Sequence, residues 1–301
     1  MSLLRTHPLV GSGILIFVLG ITGACAARSI DAVIIAERFD GATGEDSDAG
    51  SGTVSYELFA GEFIDAGDSV AGLRPPHAAE VIAAVSNALE KASFKPAQLN
   101  PALSIIVHWG SIRHDSYIPT PPHRLHPNFR TRLALVSTAR IAGTTENLLL
   151  KRSPDRYRNP NYPTPEFASG GELKIAIDRA GQSLNFLVLS AYDAGALRNK
   201  QAKLVWRTSI SASDTEASLR HAMPSFAQCG AAYFGRNYDE VITIKAPIVK
   251  SAPAGPLSVA ASAEDPFMGE LIKAERTKFS GELLKDEAES LVTFAKPAGD
   301  R

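Results

Sequence analysis

Three residues in and after one apolar segment have side chains suited to acid–base chemistry. Residues 103–115 read LSIIVHWGSIRHD, so one imidazole lies within the apolar run and a second imidazole and a carboxylate follow it. A positioned imidazole oriented by a carboxylate is a common general base in enzymes. His108 is the candidate base, Asp115 the candidate orienting group, and His114 a further candidate. One hypothesis is therefore a hydrolase or metal-dependent enzyme that uses these three residues.

A metal site is a second hypothesis for the same region. His114, His123 and His126, with Asp115 nearby, supply the nitrogen and oxygen atoms that zinc or copper binds. The H-x-x-H pair at 123 and 126 lies among prolines, and no predicted helix fixes its spacing. Solvated loop histidines are the competing interpretation, and we predict no bound metal or cofactor.

The chain lacks the short motifs of several large enzyme classes. It contains no G-x-S-x-G, S-x-x-K, H-E-x-x-H, Walker loop or G-x-G-x-x-G. Catalytic triads are defined by geometry, so these absences do not exclude an enzyme. The structural interpretation of His108 is a strand residue bonded to a neighbouring backbone or carboxylate group at the sheet surface.

The first 27 residues have the organisation of a secretory signal peptide. Arg5 precedes an apolar run at 9–21, and the small residues of TGACAAR follow. This order fits an A-x-A cleavage before Ala27, or a cleavage before Arg28. The run is short for a membrane-spanning helix, although an uncleaved N-terminal anchor is an alternative. We expect an exported protein of the periplasm or cell envelope.

The same segment contains a candidate lipidation site. Residues 22–25, TGAC, resemble a bacterial lipobox, although the position that is usually Leu is here Thr22. A lipid on Cys25 or the N-terminal segment itself would be the route to the membrane. Cleavage removes Cys25 and lipidation blocks its thiol, so Cys229 is the one free cysteine of the mature chain. No internal disulfide is expected, and Cys229 is predicted to be a structural thiol.

The hydrophobic pattern predicts one main domain with strands and helices. Helical spacing occurs at 78–92 and 214–235, and a charged helical pattern follows from 264. Strand patterns occur in GTVSYELFAGEF, LSIIVHW, GELKIAID, QSLNFLVLSAYD and KLVWRTSIS. We predict an α+β fold, a two-layer sandwich in which a mixed, mostly antiparallel sheet has helices packed on one face.

Composition shifts divide the 301 residues into five segments. The segments are a signal peptide at 1–27, a linker with a short strand at 28–52, an α+β domain at 53–246, a linker at 247–263 and a helical tail at 264–301. The domain contains a proline- and arginine-rich insertion at 111–168.

The insertion is the candidate binding surface. Its arginines alternate with aromatic residues, a composition that can bind single-stranded nucleic acid. The net charge of the whole chain is −1 and export is expected, so nucleic acid is not the expected partner. Anionic lipid, glycan or an envelope protein fits better. The alternative is a solvated loop with local ion pairs. The candidate residues are Arg113, Arg124, Arg130, Arg132, Arg152, Arg156 and Arg158.

The layout of residues 53–237 resembles a family of bacterial envelope proteins. A helix ending in ALEKASFKPA precedes the strand LSIIVHW, and the strand LNFLVLSAYDA ends in an acidic residue at a hairpin. The return strand KLVWRTSIS leads directly into a helix. The chain is similar in these features to domain of unknown function 4136, a family rich in lipoproteins. The resemblance implies an exported envelope protein with a small two-layer domain and no established active site.

These features favour an exported cell-envelope protein with a non-enzymatic binding or structural domain. The alternative is an exported hydrolase or metal-dependent enzyme built on His108, His114 and Asp115.

Overall fold

One mixed sheet forms the centre of the protein. The computed structural model describes residues 28–39, 53–68, 74–97, 99–114, 127–138, 171–249 and 265–280. The strands are β1 (Ser29–Arg38), β2 (Val54–Ala66), β3 (Phe94–Pro96), β4 (Leu103–Ile112), β5 (Leu184–Asp193), β6 (Leu204–Ser213) and β7 (Ile242–Pro247). Their order is β3-β2-β4-β5-β6-β1-β7.

Strand direction follows from the connections. β2 runs parallel to β3 and to β4, and the helix between β2 and β3 provides the crossover that parallel pairing needs. The pairs β4–β5, β5–β6, β6–β1 and β1–β7 are antiparallel. The predicted α+β fold with a mixed, mostly antiparallel sheet is confirmed.

The described helices lie on both faces of this sheet. They are α1 (Ala78–Lys91), α2 (Pro127–Val136), α3 (Gly171–Ala180), α4 (Ala194–Arg198), α5 (Leu219–Gly230) and α6 (Pro266–Ser280). A short 3-10 helix, Ala231–Tyr233, follows α5. We call the face covered by α1 and α5 the first face, and the face covered by α2, α3 and α6 the second face.

The first face carries the larger apolar core. Ile105 and Val107 of β4 are buried against Val85 and Leu89 of α1 and against Phe226 of α5. These residues lie on the apolar faces that the helical spacing of α1 and α5 and the alternation in β4 predict. Full burial of each such side chain contributes roughly 1.5–3 kcal/mol, so the two helices are held mainly by this contact.

The two tryptophans fill the first-face core, as the sequence predicts. Trp109 and Trp206 are each 2% exposed. The Trp206 ring lies between the rings of Phe94 and Phe234, with centroid distances of 6.0 and 6.2 Å. Aromatic pairs at these distances stabilise a fold beyond the contribution from burial of their apolar surface.

The second face is also covered, whereas the sequence predicted helices on one face. All ten residues of β4 are buried, so this strand needs a packed layer on each side. On the second face, Ile112 and Phe186 pack with Leu133 of α2 and Phe279 of α6. Near α4, Ile106 packs with Ile272 of α6. The fold therefore has three layers.

The segment GELKIAID, which we predicted to be a strand, is helix α3. Its apolar residues alternate over a short stretch, which produces a strand pattern. The helix instead buries Ala176 and Ala180, which are one turn apart, and leaves Ile175 half exposed. Contact with the second-face core decides the conformation, because a run this short suits either structure.

The segment at 28–39 belongs to the sheet, although we predicted a short strand within a linker. β1 lies between β6 and β7 and pairs with both. The backbone N–H of Asp31 donates to the Glu216 carboxylate at 2.6 Å. Glu216 therefore lies outside α5 and bonds to β1. The helix begins at Leu219 and not at 214 as predicted.

Parts of the predicted insertion and of the predicted tail also belong to the domain. α2 lies within 111–168, and α6 lies within 264–301; both contribute buried side chains to the second face. The predicted signal segment 1–27 lies outside the described residues, and so do 40–52, 250–264 and 281–301.

Gly110 allows β2 and β4 to approach each other, and its replacement tests the sheet. A Cβ at this position would overlap the backbone oxygen of Ile64. Gly110→Ala should therefore lower the free energy of unfolding by about 3 kcal/mol, measured by urea denaturation. Gly269→Ala in α6 is the control, because no atom lies within 4 Å of its added Cβ, and it should be neutral or stabilising. Equal stability of Gly110→Ala and the unmodified chain would contradict the pairing.

Candidate functional site

His108 lies at the middle of β4 and points toward the second face. The residue is 0% exposed, and neither ring nitrogen has a hydrogen-bond partner among the described residues. Its ring centroid is 6.1 Å from that of Phe279 in α6. Gly61 leaves room for the ring, since a Cβ there would lie 2.5 Å from Nδ1. The imidazole is therefore sealed between β2 and α6.

This environment keeps the imidazole neutral. Burial lowers the pKa of His108 to about 4, because a charged ring loses its hydration. The negative charge of Glu275 and the nearby Glu62 backbone oppose the shift, while Arg207 and Arg276 add to it. Neither ring nitrogen is hydrogen-bonded to the Glu62 backbone in the structure. His108 therefore differs from the predicted strand histidine with a bonded partner at the sheet surface.

Several donors converge on Glu275, a carboxylate that α6 carries into the second face. Glu275 is 0% exposed. Arg207 Nη2 donates to both Glu275 oxygens at 2.9 Å. Ser190 Oγ donates to Oε2 at 2.8 Å, and Lys278 Nζ donates to Oε1 at 2.7 Å. The charge is thus paired by two cations and a hydroxyl, as a buried carboxylate requires.

The sheet holds the two donors that do not come from α6. Ser190 of β5 and Arg207 of β6 are register partners, and Arg207 Nε donates to Ser190 Oγ at 3.0 Å. The guanidinium carbon also lies 5.7 Å from the centroid of the Phe279 ring. Ser190 of the sheet and Phe279 of α6 therefore both contact the guanidinium that binds the carboxylate.

The titration of the cluster follows from its charges. Burial alone would raise the pKa of the Glu275 carboxyl, but the charges of Arg207 and Lys278 and the bond from Ser190 hold it well below its usual range. Burial, followed by the negative charge of Glu275, raises the pKa of Tyr192 on the same face. At neutral pH the cluster contains an ionised carboxylate and a neutral phenol.

The structure does not bring His108 and His114 together. His114 is exposed beyond the end of β4, where its backbone N–H donates to Ser183 Oγ at 2.9 Å. For six residues of nearly extended chain, the strand rise gives a Cα–Cα separation of roughly 20 Å. Asp115, His123 and His126 lie outside the described residues. Within the described ranges no group of three or more potential metal ligands is present.

Two arginines of the predicted binding surface are buried. Arg113 is 4% exposed, and its Nη1 donates to the Asp68 carbonyl at 2.7 Å while its Nη2 lies 2.6 Å from the Asp65 carboxylate. Arg132 is 3% exposed and donates to the carbonyls of Ala180 and Arg113 at 2.7 and 2.6 Å. Their prediction as surface residues is wrong, because Arg113 binds a carbonyl just after β2 and Arg132 binds carbonyls at the ends of α3 and β4.

The rest of that predicted surface is only partly described. Arg130 is exposed on α2. Arg124, Arg152, Arg156 and Arg158 lie outside the described residues, as does the lipidation candidate Cys25. A single exposed patch formed by all seven arginines is excluded by the burial of two of them.

Cys229, in the described part of the domain, is a free thiol. Burial raises the pKa of Cys229 to about 12, and its Sγ contacts the Phe226 carbonyl at 3.4 Å. Because the thiolate is the nucleophilic form, the protonated thiol is consistent with the predicted structural role.

Three of the surface clefts among the described residues are small. Their volumes are about 110, 150 and 190 Å³, below the 300–1,000 Å³ typical of pockets for small molecules. The first lies between α1 and α5, where Arg220 contacts Glu80 at 2.7 Å. None of the three is lined by His108 or Glu275.

Glu275 and its partners are not among the site residues predicted from the sequence. A signal was available in the spacing, because Met268, Ile272, Glu275 and Phe279 follow one stripe of a helix. A charged residue within an apolar stripe marks a position where a buried partner is needed. The sequence does not show which arginine or serine supplies that partner.

Comparison with known proteins gives no family for this chain. No model of a known protein family and no curated protein matches it. One similar solved structure is a PDZ domain protein from Parabacteroides distasonis, with a TM-score of 0.34 and 10% sequence identity. The match covers 72% of this chain and 39% of the other. A likeness at this level supports no conclusion about this chain. Among the described helices, none has both the length and the apolar character to cross a membrane.

The lowered pKa of His108 predicts that the free energy of unfolding decreases as the pH falls below neutral. The pKa is about 4 in the folded chain and 6.5 ordinarily, so the unfolded chain binds more protons between these values and stability rises with pH there. Between about pH 7 and pH 5 this group alone should remove about 2 kcal/mol of unfolding free energy.

Urea denaturation at the two pH values measures this loss. His108→Leu should lack the His108 contribution, while the exposed control His114→Leu should retain the pH dependence of the unmodified chain. The same pH dependence in His108→Leu and the unmodified chain would show that the imidazole is not held neutral by burial.

Proposed function

We propose that this is an exported cell-envelope protein whose folded domain has a non-enzymatic binding or structural role. The observation that carries the proposal is the closed second face. His108 and Glu275 are fully buried between α6 and the sheet, and the Glu275 oxygens accept hydrogen bonds from protein donors. A general base must come within hydrogen-bond reach of its substrate, and these groups are enclosed by the fold.

The export part of the proposal is supported by the N-terminal sequence. Arg5, the apolar run at 9–21 and the small residues up to Ala27 have the order of a signal peptide. Lipidation of Cys25 would anchor the domain to a membrane, and cleavage before Ala27 or Arg28 would release it. Either outcome leaves the folded domain in the periplasm or cell envelope.

The proposed partner is another envelope protein, an anionic lipid or a glycan. Arg130 is an exposed cation of the described part of the arginine-rich segment. Arg113 and Arg132 do not contribute, because their guanidinium groups bind backbone carbonyls inside the fold.

Mass spectrometry of the mature N-terminus tests the proposed location. After expression in a bacterial host and fractionation of its envelope, we expect either a diacylglyceryl group on Cys25 or a free N-terminus at Ala27 or Arg28. Cys25→Ser is the matched control, because it removes the lipid acceptor and keeps both alanines of the A-x-A site. An intact Met1 in the cytoplasmic fraction would contradict export.

A further inference from the structure

The central strand β4 carries a titratable side chain beneath helix α6. The His108 imidazole is 0% exposed, and neither ring nitrogen has a hydrogen-bond partner among the described residues. Its ring centroid is 6.1 Å from that of Phe279, a buried residue of α6. A neutral ring is tolerated in this position, whereas a charged ring is costly, because no described acceptor replaces the hydration of an imidazolium.

The charged groups near the ring do not remove this cost. The titratable and charged groups around it come from α6, β2, β5 and β6, and they are Glu275, Arg276, Lys278, Glu62, Tyr192 and Arg207. Glu275 attracts a charged ring, whereas Arg207 and Arg276 repel it. The Glu275 carboxylate is already paired with Arg207 and Lys278. The charge of the cluster is therefore balanced without a proton on His108.

The other contacts of the sheet do not pass through α6. α1 and α5 pack on the first face through a separate apolar core. β4 is hydrogen-bonded to β2 and β5, and Leu133 of α2 and Ala176 of α3 cover another part of the second face. α6 is held by the Glu275 contact and by the buried side chains of Met268, Ile272 and Phe279. Separation of this one helix requires less free energy than unfolding of the whole domain.

We propose that α6 is an acid-sensitive cover: protonation of His108 favours a state in which α6 has separated from the sheet while α1, α2, α3 and α5 stay packed on it. In that state water hydrates the imidazolium. Ile106 and Tyr192, which pack with Ile272 of α6, are uncovered. The inference goes beyond the proposed binding role and does not depend on export.

Proton linkage gives the sign and the size of the response. The pKa of His108 is about 4 beneath α6 and 6.5 when the ring is exposed, so the open state binds more protons between these values. A change from about pH 7 to about pH 5 should raise the equilibrium constant for opening of α6 about 20-fold. The Glu275 carboxyl adds little in this interval, because its pKa is 4.5 when exposed and lower when buried.

Hydrogen exchange followed by mass spectrometry tests the inference on the full-length chain. Peptides from α6, α1 and α5 are compared at about pH 7 and about pH 5, with rates corrected for the pH dependence of intrinsic exchange. The protection of α6 should be at least about tenfold lower than that of α1 and α5 at both pH values. It should fall about 20-fold on acidification.

Three variants assign the response to His108. His108→Leu removes the titrating group, so the protection of α6 should change by less than about twofold between the two pH values. His108→Gln, which is polar and does not titrate, should give the same result and replaces the leucine variant if that variant does not fold. His114→Leu changes an exposed histidine and should keep the response of the unmodified chain.

The inference is supported if α6 is the less protected element and its response to pH requires His108. Equal protection of α6, α1 and α5 would overturn it, because α6 would then separate only when the whole domain unfolds. Protection of α6 that does not change with pH would also overturn it. So would a fall in protection that persists in His108→Leu or His108→Gln, because another group would then cause the response.

Discussion

The structure depends on the burial of the central strands on both faces. Every residue of β4 is buried, and so are nine of the ten in β5. Such strands are stable only between two packed layers, because either bare face would leave a wide apolar surface in water. α1 and α5 provide one layer, and α2, α3 and α6 provide the other. Segments distant in sequence are thereby made parts of a single domain.

The second layer has to satisfy polar groups as well as apolar ones. β5 and β6 present Ser190 and Arg207 among large hydrophobic residues. Burial of the Glu275 carboxylate costs several kcal/mol, which four hydrogen bonds from three side chains offset. Because the partners are few and fixed, the carboxylate selects one position of α6 on the sheet. The same contact closes the face over His108.

The sequence predicts the elements whose own periodicity is strong. The stripes of α1 and α5 and the apolar runs of β4 and β5 indicate their structure and their first-face contacts. The sequence does not determine whether the eight-residue segment in α3 is a strand or a helix, because its pattern suits both. The packing of Ala176 and Ala180 with Ile112 and Phe186 on the second face favours the helix.

Charged residues explain the remaining differences. Arg113 and Arg132 belong to a segment whose composition is typical of a surface. They nevertheless bind carbonyls at the ends of strands and of a helix that only the fold brings together. Glu275 is part of an apolar stripe, but its partner Arg207 is 68 residues away and belongs to another strand. Local patterns show that such a residue needs a partner; tertiary structure determines which one.

The most direct test of the account is a double-mutant cycle between Arg207 and Glu275. The unmodified chain, Arg207→Ala, Glu275→Ala and the double variant are compared by urea denaturation near pH 7. If the pair fixes α6 on the sheet, the coupling should be about 3 kcal/mol, with each single variant nearly as destabilised as the double. Additive effects, with a coupling below about 0.5 kcal/mol, would contradict the closure of the second face by this pair.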